Sequence, residues 1–262
     1  MRITFIGGGN MATALIAGLL RQGHSARQIS VVEHNAEARA RLAADYQVNT
    51  YAELGPEAVI ADAVVLAVKP QQLKAVAQAL TPLLATQLVV SIAAGVRART
   101  LSAWLMGYSN VVRTMPNTPA MIGAGVTALY ALPAVQSPQR QMAEDILKSA
   151  GSVLWVEDEA LMDAVTAVSG SGPAYVFYFI EAMQQAALEL GLSSAAARQL
   201  ALETMLGPRR RPRQSPSTIW RPSPTARQSL SRSRRRTARP KRRPWSRARS
   251  RSPDRGRHRQ HR

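Results

Sequence analysis

The sequence predicts an α/β protein built on a doubly wound parallel sheet, and three observations predict it. The chain opens with a glycine-rich turn between an apolar run and a helical pattern. Short apolar runs then alternate with helical patterns in the order β-α-β-α-β-α-β. Beyond residue 158 the helical patterns follow one another without strands, and from residue 208 the composition changes abruptly. The chain is therefore expected to be a Rossmann-type domain, a truncated all-helical C-terminal domain and a basic tail.

The opening stretch Arg2–Leu20 is the strongest local signal. The apolar run Ile3–Ile6 leads into the pattern G-x-G-x-x-A, formed by Gly7, Gly9 and Ala12. The first glycine permits a sharp turn out of the strand, the second lets backbone approach a pyrophosphate, and the alanine permits close packing of helix on strand. The N–H groups of the first helical turn then face an anion. This pattern predicts a dinucleotide-binding unit.

The end of the second strand bears on the choice of dinucleotide. The run Ile29–Glu33 predicts that strand, and its end contacts the adenosine ribose in such folds. The Glu33 carboxylate accepts a hydrogen bond from a 2′-hydroxyl and repels a 2′-phosphate, which favours NAD. His34 and Asn35 are able to receive a phosphate, which favours NADP. A third interpretation is that all three residues are solvated and cap the next helix.

Three later segments place polar or small residues where parallel strands end. The apolar run Asp62–Val68 delivers Lys69–Gln71 to the edge where open α/β sheets bind ligands, although a lysine there also suits a solvated loop. We expect Pro70 to stop that strand, because it has no N–H to donate. The strand Leu88–Ile92 ends in Ala93–Gly95, whose small residues let a ring or ribose approach. Further on, Pro116–Pro119 forms a stiff loop that presents an asparagine and a threonine.

The helical part contains one candidate site. Leu161–Val168 has a helical pattern, Ser169–Pro173 is expected to interrupt it, and Ala174–Leu190 resumes it. Such an interruption places hydroxyls and a helix N-terminus beside a ligand. A purely structural kink is the alternative.

Composition excludes several classes of function. The 262-residue chain has no cysteine, which excludes a disulfide scaffold, cysteine-ligated zinc and thiol catalysis. Its hydrophobic content of 46% is ample for a packed core. No apolar run approaches the ~20 residues of a membrane span. We expect a cytoplasmic protein with no metal centre and no membrane contact.

The net charge of +18 is unevenly distributed. Residues 208–262 contain 20 arginines and one lysine against the single acid Asp254, whereas residues 1–207 have 13 basic and 15 acidic groups. A tail rich in Arg, Pro and Ser without helical periodicity is expected to be disordered. A near-neutral folded part is thus followed by a strongly basic tail.

Five motifs together resemble one family. In order and spacing over residues 1–207, the chain is similar to pyrroline-5-carboxylate reductases at Ile6–Ala12, Ala67–Gln71, Ser91–Gly95, Arg113–Ala120 and Ser169–Val176. The resemblance implies hydride transfer from a nicotinamide cofactor, usually NADPH, to the C=N bond of 1-pyrroline-5-carboxylate, giving L-proline in the last step of proline biosynthesis. It also implies a homodimer or higher homo-oligomer formed through C-terminal helices. The implied division is a cofactor domain over 1–158 and a partial dimerisation and substrate domain over 159–207.

The resemblance also assigns site residues. It places the pyrophosphate at Gly7, Gly8, Gly9, Asn10, Met11 and Ala12, the adenosine ribose at Glu33, His34 and Asn35, the nicotinamide and its ribose at Ala67, Val68, Lys69, Pro70, Ala93, Ala94 and Gly95, and the reacting ring at Asn117, Thr118, Ser169 and Ser171. An imine is already electrophilic, so orientation and exclusion of water suffice and no acid/base dyad is required. Glu33 and His34 depart from the family's usual Asn-Arg ending, which leaves NADH as the alternative to NADPH.

Residues 208–262 depart from the family, because they contain no S-P-G-G-T-T-like loop of the kind that contacts substrate. The resemblance therefore implies an incomplete substrate site and doubtful activity. A reading-frame shift near codon 207 is the preferred hypothesis. Two others are a nucleic-acid-binding appendage, since arginines bind phosphate without sequence preference, and a cofactor-binding but inactive protein whose helix Ala174–Leu190 is left uncovered.

Overall fold

The computed structural model describes residues 1–206. The interpretations of residues 208–262 given above lie outside the described residues. The eight strands of the described residues are β1 Ile3–Ile6, β2 Ile29–Val32, β3 Asn49–Tyr51, β4 Ala63–Leu66, β5 Leu88–Ser91, β6 Val111–Met115, β7 Gly125–Ala131 and β8 Gly151–Trp155. The α-helices are α1 Asn10–Arg21, α2 Ala36–Tyr46, α3 Pro70–Leu80, α4 Ala98–Trp104, α5 Ser137–Lys148, α6 Leu161–Val165, α7 Gly172–Glu189 and α8 Ser194–Leu206.

The strands form one sheet in the order β3-β2-β1-β4-β5-β6-β7-β8. The first six strands in chain order are parallel, which confirms the doubly wound Rossmann-type architecture. The strand β7 instead runs antiparallel to β6, and β8 runs parallel to β7. The connection from Met115 to Gly125 explains the reversal, because a parallel return needs a crossover of roughly a dozen residues or more.

The core lies on both faces of this sheet, and alternate residues of each strand supply it. From β1 and β4, Phe5 and Val65 pack into the layer on one face, whereas Ile6 and Leu66 pack into the layer on the other. Every residue of β4 is buried, as expected for a central parallel strand with helices on both sides. Each such side chain contributes about 1.5–3 kcal/mol through burial. The rigid sheet fixes the positions of the loops at its carboxyl edge.

The α-helix is interrupted near Ser169–Pro173 as expected, but the interruption begins earlier. Helix α6 ends at Val165, a π-helical turn covers Thr166–Gly170, and α7 begins at Gly172 after Ser171, which keeps right-handed helical angles. Pro173 favours this widening, since it has no N–H for the carbonyl four residues earlier.

One local expectation is wrong. Pro70 does not stop a strand, because β4 ends at Leu66 and Pro70 begins α3, where its missing N–H has no cost.

Among the described residues no helix is both long and apolar enough to span a bilayer. The same part of the chain contains no cluster of three or more metal-ligating side chains.

Candidate functional site

The glycine loop Gly7–Gly9 lies at the point where the order of strands reverses. Strand β1 has β2 on one side and β4 on the other, and ligands of open α/β sheets bind at such a point. Gly7 has a φ of +100°, and a Cβ on it would lie 2.7 Å from the carbonyl oxygen of Ala67. The glycine loop therefore touches the end of β4, so two of the predicted cofactor segments, Gly7–Ala12 and Ala67–Pro70, lie side by side.

Gly9 differs from Gly7 in having no structural need to be glycine. Its φ of −70° and ψ of 179° suit any residue, and a Cβ on it would meet no protein atom within 4 Å. The helix α1 begins directly after it with no side-chain cap and no acid in its first turn. Open space in front of uncapped N–H groups is the arrangement that receives a phosphate group. The geometry fits a dinucleotide pyrophosphate.

The Glu33 carboxylate braces the glycine loop. One of its oxygens accepts a hydrogen bond from the N–H of Gly8 at 2.8 Å, and the other accepts from the N–H of Asn35 at 2.9 Å. Asn35 itself caps α2 through its side-chain oxygen, at 2.8 Å from the nitrogen of Ala38. The capping interpretation therefore describes what Asn35 does in this structure, and Glu33 connects the glycine loop to the segment that follows β2.

Arg39 is a residue that sequence reasoning missed. It lies on α2, and its guanidinium donates to the carbonyl oxygen of Glu33 at 2.8 Å and to that of His34 at 3.3 Å. This brings a positive charge to the loop after β2, where NADP-binding Rossmann domains place an arginine for the 2′-phosphate. Its position one helical turn after the Asn35 cap was the available signal.

The remaining predicted cofactor residues follow β4 and β5 at the same edge of the sheet. Lys69 is exposed directly before α3, and the described residues offer it no ion-pair partner. Ala93 is buried beside Ser91, whereas Ala94 and Gly95 face solvent. Gly95 has a φ of +78°, which turns the chain back toward α4. Small exposed residues leave this stretch accessible to a flat ring.

Asn117 joins the Pro116–Pro119 loop to the π-helical turn. Its side-chain oxygen accepts from the N–H of Val126 at 3.0 Å, and its amide nitrogen donates to the Ser169 hydroxyl at 3.2 Å. The first bond fixes which way the amide points, so Ser169 must act as the acceptor in the second. The proton of the Ser169 hydroxyl is then free for another partner. Two predicted site residues separated by 52 positions in the chain thus meet directly.

Within the described residues, Thr118 and Ser171 have no side-chain hydrogen bond to another predicted site residue. Thr118 is exposed at the start of a 3-10 turn, Thr118–Ile122, that packs against α1. Ser171 is half-buried, and its backbone N–H donates to the carbonyl oxygen of Thr166 at 2.8 Å. The structure therefore connects Asn117 with Ser169 but gives no comparable contact between the other two residues.

Two family models match the chain. One, described as NADP oxidoreductase coenzyme F420-dependent, matches residues 2–95, and the other, described as pyrroline-5-carboxylate reductase dimerisation, matches residues 159–220. A pyrroline-5-carboxylate reductase from Pseudomonas aeruginosa is 51% identical over 208 residues, covering 79% of this chain and 76% of that protein. The chain belongs to the pyrroline-5-carboxylate reductase family. The second match continues beyond residue 207, where the sequence motifs end.

Solved structures agree with this membership. The pyrroline-5-carboxylate reductase of Coxiella burnetii superimposes with a TM-score of 0.81 at 36% identity, over 90% of this chain and 91% of that one. The Plasmodium falciparum pyrroline carboxylate reductase, solved with NADP bound, gives a TM-score of 0.74 at 27% identity, over 90% of each chain. The NADP oxidoreductase model and the NADP-bound neighbour support a nicotinamide dinucleotide as cofactor.

Proposed function

We propose that this chain reduces 1-pyrroline-5-carboxylate to L-proline with a hydride from NADPH, with NADH as the weaker alternative. The observation that carries the proposal is the hydrogen bond between Asn117 and Ser169. It joins a loop of the α/β part to the helical part that matches the dimerisation model. The family membership supports the substrate, and the glycine loop supports the cofactor.

In the proposed complex the chain binds the cofactor by backbone groups at the glycine loop. The N–H groups of Asn10, Met11 and Ala12 hold the pyrophosphate, because helix α1 offers them uncapped. Lys69 and the small residues Ala93–Gly95 line the nicotinamide and its ribose. When bound, the cofactor supplies the hydride. The protein's share of catalysis is to place two rings in contact and to keep water away.

We further propose that the Ser169 hydroxyl donates to the imine nitrogen of the substrate. Reduction adds a hydride to the C=N carbon and a proton to the nitrogen. A hydroxyl that faces the nitrogen passes on that proton and takes another from solvent in the same step, so the serine remains a neutral hydroxyl. Asn117 forces the Ser169 oxygen to accept, which leaves its O–H for the substrate. Thr118 and Ser171 are proposed to border the same ring. Neither role requires a charged acid/base pair.

A homodimer is part of the proposal. No residue of α7 is buried, although the helix carries Tyr175, Phe177 and Phe179, each more than half exposed. An apolar helix without buried residues needs a partner surface. The match of residues 159–220 to a dimerisation model supports a second copy as that partner.

The test is a spectrophotometric assay at the absorbance of reduced nicotinamide. Purified full chain is mixed with 1-pyrroline-5-carboxylate and either NADPH or NADH, and the product is identified as L-proline by chromatography. We expect substrate-dependent oxidation that is faster with NADPH. Ser169→Ala should slow it by about 100-fold, the lower end of the usual contribution of a positioned proton donor. Ser152→Ala, at an exposed serine on β8, is the matched control.

The alternative is a cofactor-binding protein without turnover whose basic tail binds nucleic acid. It predicts that NADPH binds but is not oxidised when substrate is added. The tail lies outside the described residues, so the sequence alone motivates this function. Salt-sensitive retention of DNA together with absent turnover would favour it.

A further inference from the structure

We infer that Glu159 is a positioning residue that fixes the nicotinamide end of the cofactor site. This inference rests on the proposed function. Glu159 lies between β8 and α6, and one carboxylate oxygen, Oε1, accepts two hydrogen bonds. One comes from the backbone N–H of Ala98 at 2.6 Å, and the other from the guanidinium of Arg113 at 3.0 Å.

This carboxylate ties together three segments that carry predicted site residues. Ala98 begins α4, three residues after the Ala93–Gly95 stretch. Arg113 lies on β6, four residues before Asn117. Glu159 itself comes two residues before α6, which leads into the π-helical turn with Ser169. The two hydrogen bonds converge on one atom of Glu159, so displacing this carboxylate frees Ala98 and Arg113 together.

The ion pair is too well buried to be incidental. The Arg113 side chain is 6% exposed and that of Glu159 is 13% exposed. Charges in such surroundings are screened little by salt and stay fixed relative to each other. The neighbouring Glu157 is exposed, although it lies on the same connection. Burial singles out one acid of this connection for the network.

The expected consequence is selective for one end of the dinucleotide. The glycine loop receives its support from Glu33 and from β4, not from Glu159. Loss of the Glu159 carboxylate should therefore loosen the Ala93–Gly95 stretch and the nicotinamide contacts. The adenosine and pyrophosphate contacts should persist.

The experiment compares two ligands in the full chain. Kd is measured by calorimetry for NADPH and for 2′-phospho-ADP-ribose, which lacks the nicotinamide ring. The Kd for 2′-phospho-ADP-ribose divided by the Kd for NADPH measures how much the nicotinamide end contributes to binding. Glu159→Ala should reduce this ratio by roughly tenfold, the loss expected for a charged hydrogen bond. Glu159→Gln keeps an oxygen acceptor, so its ratio should lie between that of the unaltered chain and that of Glu159→Ala. Glu157→Gln is the control and should leave the ratio unchanged.

General destabilisation gives a different result, because a smaller folded fraction weakens both ligands equally and leaves the ratio constant. A constant ratio in both Glu159 variants would therefore overturn the inference, and Glu159→Gln decides the matter if the alanine variant does not fold. Equal Kd values in the unaltered chain would overturn it too, since no nicotinamide contribution would exist. Failure of the unaltered chain to bind either ligand contradicts the proposed function itself.

Discussion

Strand β4 and helix α7 are both strongly apolar, yet they use that character in opposite ways. All four residues of β4 are buried, because helices cover both faces of the sheet there, whereas no residue of α7 is buried. Residues 1–158, the cofactor or self-contained half of the molecule, therefore complete their core within one chain. Residues 159–206, the helical or uncovered half, carry apolar surface that only another surface can cover. Apolar content shows that a segment must be buried, but topology determines what buries it.

The largest expected effect tests the uncovered half. Phe177→Glu should raise the dimer Kd by at least about a hundredfold, because the phenyl ring is removed from both copies of the interface. Phe177 is 62% exposed, and Ile60 in the α/β part is 60% exposed. Ile60→Glu is therefore the control and should leave association unchanged. Sedimentation equilibrium measures both, and unchanged association of the Phe177 variant contradicts the assignment of α7 to a dimer.

The next effect tests the self-contained half at two glycines of the same loop. Gly7→Ala should lower the free energy of unfolding by about 2–3 kcal/mol, since it combines a positive φ with a close backbone oxygen. Gly9→Ala should change it by less than about 0.5 kcal/mol, the usual range for an open site. The same Gly9 variant should nevertheless raise the Kd for NADPH. Urea unfolding and cofactor titration separate the two roles.

The contact between the halves can be tested at its two side chains. Asn117→Ala should lower kcat by about 100-fold, because the Ser169 hydroxyl loses the amide that orients it. If the pair works as a unit, the double variant Asn117→Ala/Ser169→Ala should be little slower than either single variant. Fully additive losses in kcat would show that the two residues act independently. Cofactor Kd is the accompanying control and should stay constant.

A smaller effect concerns cofactor choice within the self-contained half. Arg39→Gln should shift the ratio of kcat/KM for NADPH over NADH toward NADH by roughly tenfold, because the guanidinium beside Glu33 is lost. Arg41→Gln removes the same charge from the same helix at an exposed position and is the control. An equal shift in both variants would point to net charge rather than to position.

The cofactor half was predictable because its signals are local. A strand, a turn and a helix in succession set the place of Gly7 and Gly9, and the alternation of strands and helices predicted a doubly wound parallel sheet. Arg39 escaped because its role depends on which carbonyls the folded loop presents. The site residues remain predictions, although Asn117 and Ser169 do meet in the structure.

The helical half was harder to predict for a physical reason. Glycines and a proline at Gly170–Pro173 predict an interruption before α7, but local propensity does not predict the π-helical turn over Thr166–Gly170 that precedes it. Two contacts from the α/β part hold this turn: the Asn117 amide donates to the Ser169 hydroxyl, and the Met115 side chain lies where a Cβ on Gly170 would be. The reversed strand β7 depended on the short connection before it. In both places the tertiary arrangement outweighed the local pattern.

The smallest effect lies at the edge of the sheet in the self-contained half, far from any predicted site residue in sequence. The Lys148 ammonium, with a further hydrogen bond from the Trp155 indole N–H at 2.7 Å, lowers the pKa of the Glu144 carboxyl below its ordinary value. A lowered folded-state pKa stabilises the fold above the unfolded pKa, and that stability is lost as pH falls through the folded value. Glu144→Gln should therefore lower the free energy of unfolding at pH 7 by less than about 1 kcal/mol, because the pair is largely solvated. At a pH below both pKa values the difference should shrink, whereas a difference that stays constant across the acid range would assign the effect to lost packing against Trp155. Chemical unfolding at a series of pH values distinguishes lost charge interaction from lost packing. In either case the variant should stay folded, since the core of the α/β part is buried independently of this surface pair.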